Sequence, residues 1–223
     1  MAEIMKALAR SGAVMIVAGL FSTPLRTQTP SAVLEGTVRC ASRNPIVVSA
    51  EAPGLPPPSP QVTPPIIDQR GLEFVPRVLP VVVGTRVAFR NSDPVPHNVF
   101  SPSPIRPFNL GAYPSGTTRY VTFDRPGVVE ILCNVHLEMN AYVVVLRTPS
   151  FTVAREDGHY RIEGLSPGPH TVSVWCDTAG ATQRQIQLGP GTTRFDLDLS
   201  RGDRRDVPPA APATRNVMRP DVR

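Results

Sequence analysis

Short apolar runs separated by turn residues recur along most of the chain, without the three-to-four-residue apolar spacing of a helix outside residues 4–21. β-Branched residues dominate these runs, and Gly-Thr, Asp-Pro, Asp-Gly and Pro-Gly pairs mark turns between them. The pattern predicts strands over residues 34–39, 45–50, 66–69, 77–83, 86–89, 117–123, 128–132, 142–146, 151–154, 160–164, 170–175, 183–188 and 194–199. The protein is therefore predicted to be all-β.

Three segments depart from this pattern. Residues 53–65 are so rich in proline that a regular ladder is excluded, and they are predicted to be an extended polyproline linker on the surface. Residues 91–116 are rich in Pro and Ser and are predicted to cross between two sheets. Residues 201–223 contain Arg, Asp, Pro and Ala with almost no large apolar side chain, which predicts disorder.

The N-terminal segment has the composition of a targeting sequence. Lys6 and Arg10 precede the apolar run at 12–21, which is too short to span a bilayer comfortably. We interpret residues 1–32 as a secretory signal peptide, which predicts a periplasmic or secreted protein. Because a clean Ala-x-Ala cleavage site is absent, an uncleaved membrane anchor is the alternative, and only then would the protein contact a membrane.

Basic residues outnumber acidic residues by five, and the excess lies in the two terminal segments. Residues 1–32 contribute a net +2 and residues 201–223 contribute a net +3, so the region between them is close to neutral. A nucleic-acid-binding domain carries a basic stripe on its folded face. The charge pattern therefore predicts no nucleic-acid partner.

A soft-metal motif lies between two of the β-branched runs. Cys133, His136 and Met139 follow the spacing Cys-x2-His-x2-Met, and His97 follows an upstream strand. A thiolate, two imidazoles and a thioether are a ligand set for copper, whereas a thioether is a poor ligand for zinc. The chain has four histidines, too few for further copper clusters. No arrangement typical of a hydrolase is present either, so the protein is predicted not to be an enzyme.

Residues 74–146 resemble the cupredoxins of the plastocyanin and amicyanin type. Besides the ligand motif, the matching segments are Phe74-Val-Pro76, Val83-Gly84-Thr85, Phe89-Arg-Asn91, Pro96-His-Asn-Val99 and Phe123-Asp-Arg-Pro-Gly127. The resemblance implies a Greek-key cupredoxin sandwich over residues 66–148 that holds one copper ion, cycling between Cu(I) and Cu(II). It implies that Cys133, His97 and His136 form a trigonal ligand plane with Met139 as a weak axial ligand. It also implies that Asn98 ties the two ligand loops together.

The same resemblance implies a one-electron carrier that docks redox partner proteins near His136 and has no small-molecule substrate. Amicyanin-type loops carry prolines beside the second histidine, whereas here its neighbours are Val135 and Leu137, followed by Glu138. The two apolar neighbours could preserve an apolar docking patch, and the acidic residue could change which partner fits. The competing hypothesis is a copper-binding or protein-interaction module without an electron-transfer role.

The segment from residue 149 resembles carboxypeptidase-regulatory-like domains, which are transthyretin-like β-sandwiches. The pattern is Asp157-Gly-x-Tyr-x-Ile-x-Gly-Leu-x-Pro-Gly168, and Gly36-Thr-Val38 resembles the family's first strand. The resemblance therefore implies one discontinuous sandwich, built from residues 33–52 and 149–200, with the cupredoxin-like module inserted.

This discontinuous sandwich would contain Cys40 and Cys176. In an oxidising compartment they form a disulfide, or else they are two small buried side chains; the sequence leaves both open. His159 and His170 are predicted to be solvent-exposed and not to bind metal.

Overall fold

The structure, a computed structural model, describes residues 31–200, so the predicted signal peptide and disordered tail lie almost wholly outside it. These residues form strands without a helix, which confirms the all-β prediction. The first strands are β1 (Ala32–Arg39), β2 (Val47–Glu51), β3 (Ile66–Gln69), β4 (Phe74–Val75), β5 (Val78–Val82), β6 (Thr85–Asn91), β7 (His97–Ser101) and β8 (Phe108–Tyr113). The remaining strands are β9 (Thr118–Phe123), β10 (Gly127–Leu132), β11 (Asn140–Leu146), β12 (Phe151–Val153), β13 (His159–Leu165), β14 (Gly168–Cys176), β15 (Gly180–Leu188), β16 (Gly191–Arg194) and β17 (Leu197–Asp198).

Strands β3 to β11 form a two-sheet unit, which we call the central sandwich. One sheet has the order β5-β11-β10-β7-β8 and the other has the order β4-β3-β6-β9. Alternate side chains of β10 point inward, as the burial of Val129 and Ile131 shows. They pack against aromatic side chains from the facing sheet, including Phe74, Phe89 and Phe123, to form one core.

Residues 91–116 cross from the sheet of β6 to the sheet of β10 and return to β9, as predicted, but the two strands within this crossing were not predicted. This segment contains β7 and β8, which pair antiparallel and extend the sheet that carries β10. Prolines interrupt the segment so often that the period-two alternation is hidden in the sequence. One of these strands positions a predicted metal ligand, because β7 begins with His97.

Strands from the two ends of the described chain form a second unit, which we call the terminal sandwich. Strand β1 lies between β13 and β16, and β2 lies between β12 and β14. Gly36 is required in β1, because a Cβ atom there would lie 1.9 Å from the carbonyl oxygen of Phe195. The predicted strand over residues 194–199 is interrupted at this point and divides into β16 and β17.

Cys40 and Cys176 form a disulfide that links the ends of β1 and β14 across the terminal sandwich. His159 is exposed, whereas the predicted exposure of His170 was wrong. His170 is buried, with Nδ1 3.2 Å from the carbonyl oxygen of Gly168. It sits on the inward-facing side of β14, which the hairpin position did not reveal.

The two sandwiches contact each other through a small apolar cluster. Trp175 of β14 and Val47 of β2 pack against Val78 and Val144 on the outer face of the central sandwich. The ring of Trp175 lies 5.1 Å from that of Tyr142, centroid to centroid, at an interplanar angle of 56°. No helix long and apolar enough to cross a membrane occurs among residues 31–200.

Candidate metal centre

Three neighbouring strands bring the predicted ligands to one edge of their sheet. Strands β7 and β11 both run antiparallel to β10. The first residues of β7 and β11 therefore lie at the same edge as the last residue of β10. His97 begins β7, Cys133 directly follows β10, and Met139 directly precedes β11. Residues far apart in the sequence thus converge because of sheet topology.

His97, Cys133 and His136 form a compact cluster of donor atoms. One ligand atom from each lies within 4.8 Å of the others, and no second group of His, Cys, Asp and Glu of this kind is found within residues 31–200. Nδ1 of His97 is 3.0 Å from Nδ1 of His136. His97 is fully buried, Cys133 is a buried free thiol, and His136 is half-buried. Two imidazoles and one thiol at this spacing fit a single soft metal ion.

The loop that carries the second histidine is closed by two backbone hydrogen bonds. The N–H of Cys133 donates to the carbonyl of Met139 at 3.3 Å, and the N–H of Met139 donates to the carbonyl of His136 at 3.1 Å. Met139 is 1% exposed and belongs to the core of the central sandwich together with Cys133. The short loop therefore holds its thiol and its thioether on the buried side and His136 toward the surface.

Asp93 is a residue of the site that the sequence analysis interpreted only as part of a turn. Its Oδ2 lies 2.8 Å from Nε2 of His97, and its side chain is 8% exposed. Burial raises the pKa of Asp93, but hydrogen bonds from the N–H groups of Leu72 and Gly71 and from His97 outweigh it and hold the pKa below its usual value. An ionised carboxylate thus orients His97. Its position four residues before His97 was the available signal.

The predicted role of Asn98 is not seen in the structure. The side chain is 2% exposed, and its Oδ1 is buried without a hydrogen-bond partner. Its backbone lies in β7, paired with Ala112 of β8. Asn98 is therefore adjacent to the candidate ligand His97, while a hydrogen bond by which it would tie the two loops together stays a prediction.

The surface beside His136 is apolar. Val135 is 52% exposed and Leu137 is 85% exposed, so both flanks of the half-buried imidazole present apolar side chains to solvent. Glu138 is exposed next to them. The edge of His136 is thus the part of the cluster that another molecule can approach.

Comparison with known proteins gives structural similarity to copper proteins over part of the chain. No family model and no curated protein matches the sequence. The copper-containing nitrite reductase from Thermus scotoductus is 26% identical over 39% of this chain and 23% of its own length, with a TM-score of 0.37. The purple cupredoxin from Nitrosopumilus maritimus is 26% identical over 37% of this chain and 99% of its own, with a TM-score of 0.34.

A reduced variant of amicyanin is 22% identical over 44% of this chain and 99% of its own length, with a TM-score of 0.37. Each of these matches covers less than half of this chain. The function of the protein is therefore argued from the residues of its site.

Proposed function

We propose that the protein is an exported one-electron carrier that holds one type 1 copper ion at His97, Cys133 and His136, with Met139 as a weak axial ligand. The observation that supports this most is the three-residue cluster, with ligand atoms within 4.8 Å of one another. The ligand set is the one used by blue-copper sites. Periplasmic or secreted localisation follows from the predicted signal peptide, and no enzymatic activity is included in the proposal.

When bound, copper supplies a Cu(I)/Cu(II) couple that accepts and releases single electrons. The protein supplies a rigid binding site for the ion. His97 begins β7, Cys133 directly follows the adjacent strand β10, and both are almost fully buried, so they have little room to rearrange. When the ligands stay in place as the oxidation state changes, the reorganisation energy of electron transfer is low. The buried surroundings of Cys133 also exclude water from the thiol.

Redox partner proteins are proposed to dock where His136 reaches the surface. Val135 and Leu137 provide exposed apolar contacts on either side of it, and Glu138 adds an acidic group that can select among partners. A transient electron-transfer complex needs only a small contact area. No small-molecule substrate and no nucleic acid is part of the proposal.

The domain organisation is proposed to follow the two sandwiches. Residues 33–52 and 149–200 would form the discontinuous domain, residues 53–65 the linker, and residues 66–148 the inserted copper domain. The pairing of β1 with β13 and of β2 with β14 supports this division. The terminal sandwich would then serve as a docking or attachment module rather than as a second redox centre.

The proposal is tested by adding Cu(II) to the purified protein and recording its visible absorption and EPR spectra. We expect one equivalent of copper to give an intense blue band and a narrow parallel hyperfine splitting. Cys133→Ser should lose both, whereas the Cys40→Ser, Cys176→Ser double variant should keep them. Weak absorption that Cys133→Ser retains would contradict the proposal and would favour a copper-binding or interaction module without electron transfer.

A further inference from the structure

The turn between β3 and β4 has an unusual backbone. Gly71 and Leu72 both have positive φ, at 67° and 60°, and the N–H of Arg70 donates to the carbonyl of Glu73 at 3.0 Å. Leu72 is the one non-glycine residue with positive φ among residues 31–200. A branched L-residue is disfavoured in this region of conformational space. Because Leu72 is 50% exposed, packing of its side chain does not explain why the conformation is kept.

The backbone N–H groups of this turn bind a side chain. The N–H of Gly71 donates to Oδ1 of Asp93 at 2.6 Å, and the N–H of Leu72 donates to Oδ2 at 2.9 Å. Successive N–H groups in this conformation form a concave site for an anion, known as a nest. The positive-φ conformation of this turn therefore lets the N–H groups of Gly71 and Leu72 bind both oxygens of the buried Asp93 carboxylate.

The Asp93 carboxylate that this turn binds also contacts His97, one of the proposed metal ligands. Oδ2 of Asp93 is also 2.8 Å from Nε2 of His97. An ionised carboxylate can only accept hydrogen bonds, so Nε2 of His97 must carry the proton. In the neutral imidazole this leaves the lone pair on Nδ1, the nitrogen that lies 3.0 Å from Nδ1 of His136.

We propose that Gly71 and Leu72 are positioning residues for the metal site. Their two N–H groups fix the Asp93 carboxylate, and the carboxylate fixes His97 as the tautomer that presents a bare Nδ1 to the cluster. Neither residue lies in a ligand loop or carries a ligating side chain. Only the purpose of this arrangement rests on the proposed copper function, because every hydrogen bond in it joins two groups of this chain.

The decisive experiment removes one N–H without changing a side chain. Leucic acid placed at position 72 replaces the Gly71–Leu72 amide with an ester. The matched control is leucic acid at position 55, where a leucine also follows a glycine. The Leu55 side chain is 63% exposed, and its N–H has no hydrogen-bond partner among the described residues. The readout is the pair of imidazole nitrogen-15 NMR shifts of His97 in the metal-free protein.

We expect well-separated shifts in the unmodified protein, with the proton on Nε2. The ester at position 72 should bring the two shifts together as the tautomers mix, and the ester at position 55 should not. Leu72→Gly keeps the N–H and removes the unfavourable side chain, so it should preserve the shifts. Unchanged His97 shifts in the position 72 ester would overturn the proposal.

Asp93→Ala provides a second route if the ester at position 72 does not fold. This variant should also lose the fixed tautomer, and its affinity for Cu(II) should fall by roughly 10- to 100-fold. Retention of the wild-type His97 shifts in Asp93→Ala would overturn the proposal as well. Separated shifts in a wild-type protein that gives no blue band would instead refute the copper function and leave the hydrogen-bond arrangement intact.

Discussion

Met139 is the residue expected to set the reduction potential. It is buried beside the loop of Cys133 and is proposed as the weak axial ligand, the position through which blue-copper sites tune their potential. We expect Met139→Leu to keep the blue band, because the thiolate and both imidazoles remain, and to raise the potential, because a donor that favours Cu(II) is lost. Spectroelectrochemical titration of both proteins measures the change. An unchanged potential would mean that Met139 only fills the core.

We predict that the stability of the central sandwich depends on pH through the ionisation of Asp68. Burial raises the pKa of Asp68, but hydrogen bonds from Arg90 and Ser92 and the charge of Arg90 outweigh it, so the pKa lies below its ordinary value of 3.8. A lowered carboxyl pKa stabilises the fold above the unfolded-state pKa, and this contribution is lost as the pH falls through the folded-state pKa.

Asp68→Asn should therefore be less stable than the wild type at pH 7, and the difference should shrink as the pH is lowered past about 3.8. Urea denaturation at a series of pH values measures it. A difference that is constant with pH would show that the ionised carboxylate does not contribute.

At the scale of elements, the disulfide joins strands that are distant in the chain. Cys40 and Cys176 are separated by 136 positions, and the whole central sandwich lies between them. Closing so long a loop restricts the unfolded chain strongly. We expect the Cys40→Ala, Cys176→Ala double variant to lose about 2–5 kcal/mol of unfolding free energy.

The same variant should keep the visible spectrum of the copper-loaded protein, since Cys133 is in the other sandwich. Guanidinium denaturation and absorption spectroscopy on one sample measure both quantities. Loss of the blue band in a folded double variant would show that the terminal sandwich supports the metal site directly.

At the scale of the whole molecule, Trp175 is expected to couple the two sandwiches. It is 6% exposed, contacts the ring of Tyr142 and is the single tryptophan of the chain. Trp175→Ala should cost about 3–5 kcal/mol, the usual range for deleting a buried aromatic side chain. Calorimetry should show one unfolding transition for the wild type and two for the variant. Val153→Ala, which removes an apolar side chain that is 40% exposed, is the control and should behave like the wild type.

The cluster of possible metal ligands could be predicted from the sequence because most of it is local. Cys133, His136 and Met139 lie in one short loop between two apolar runs, and soft-metal donors at that spacing are informative by themselves. The contact between Asp93 and the Gly71–Leu72 turn could not be predicted in this way. It joins backbone groups and a carboxylate from separate loops, and a backbone N–H has no signature in a sequence.

The strands were predictable where alternation was uninterrupted, as in β1, which alternates buried residues with half-buried or exposed ones along Ala32–Arg39 and was predicted over residues 34–39. Strands β7 and β8 were missed because prolines surround them and hide the alternation of their side chains. The contact between Trp175 and Tyr142 was also missed. It depends on which faces of two separate sheets meet, and period-two patterns identify a buried face without identifying what covers it.

The most direct test of the account is X-ray absorption at the copper edge on the loaded protein. We predict one short sulfur neighbour, from Cys133, and one shell of two nitrogen neighbours, from His97 and His136, with the short sulfur neighbour absent from Cys133→Ser. A wild-type spectrum fitted by nitrogen and oxygen neighbours alone would contradict the account, because it would show that copper binds without the thiolate.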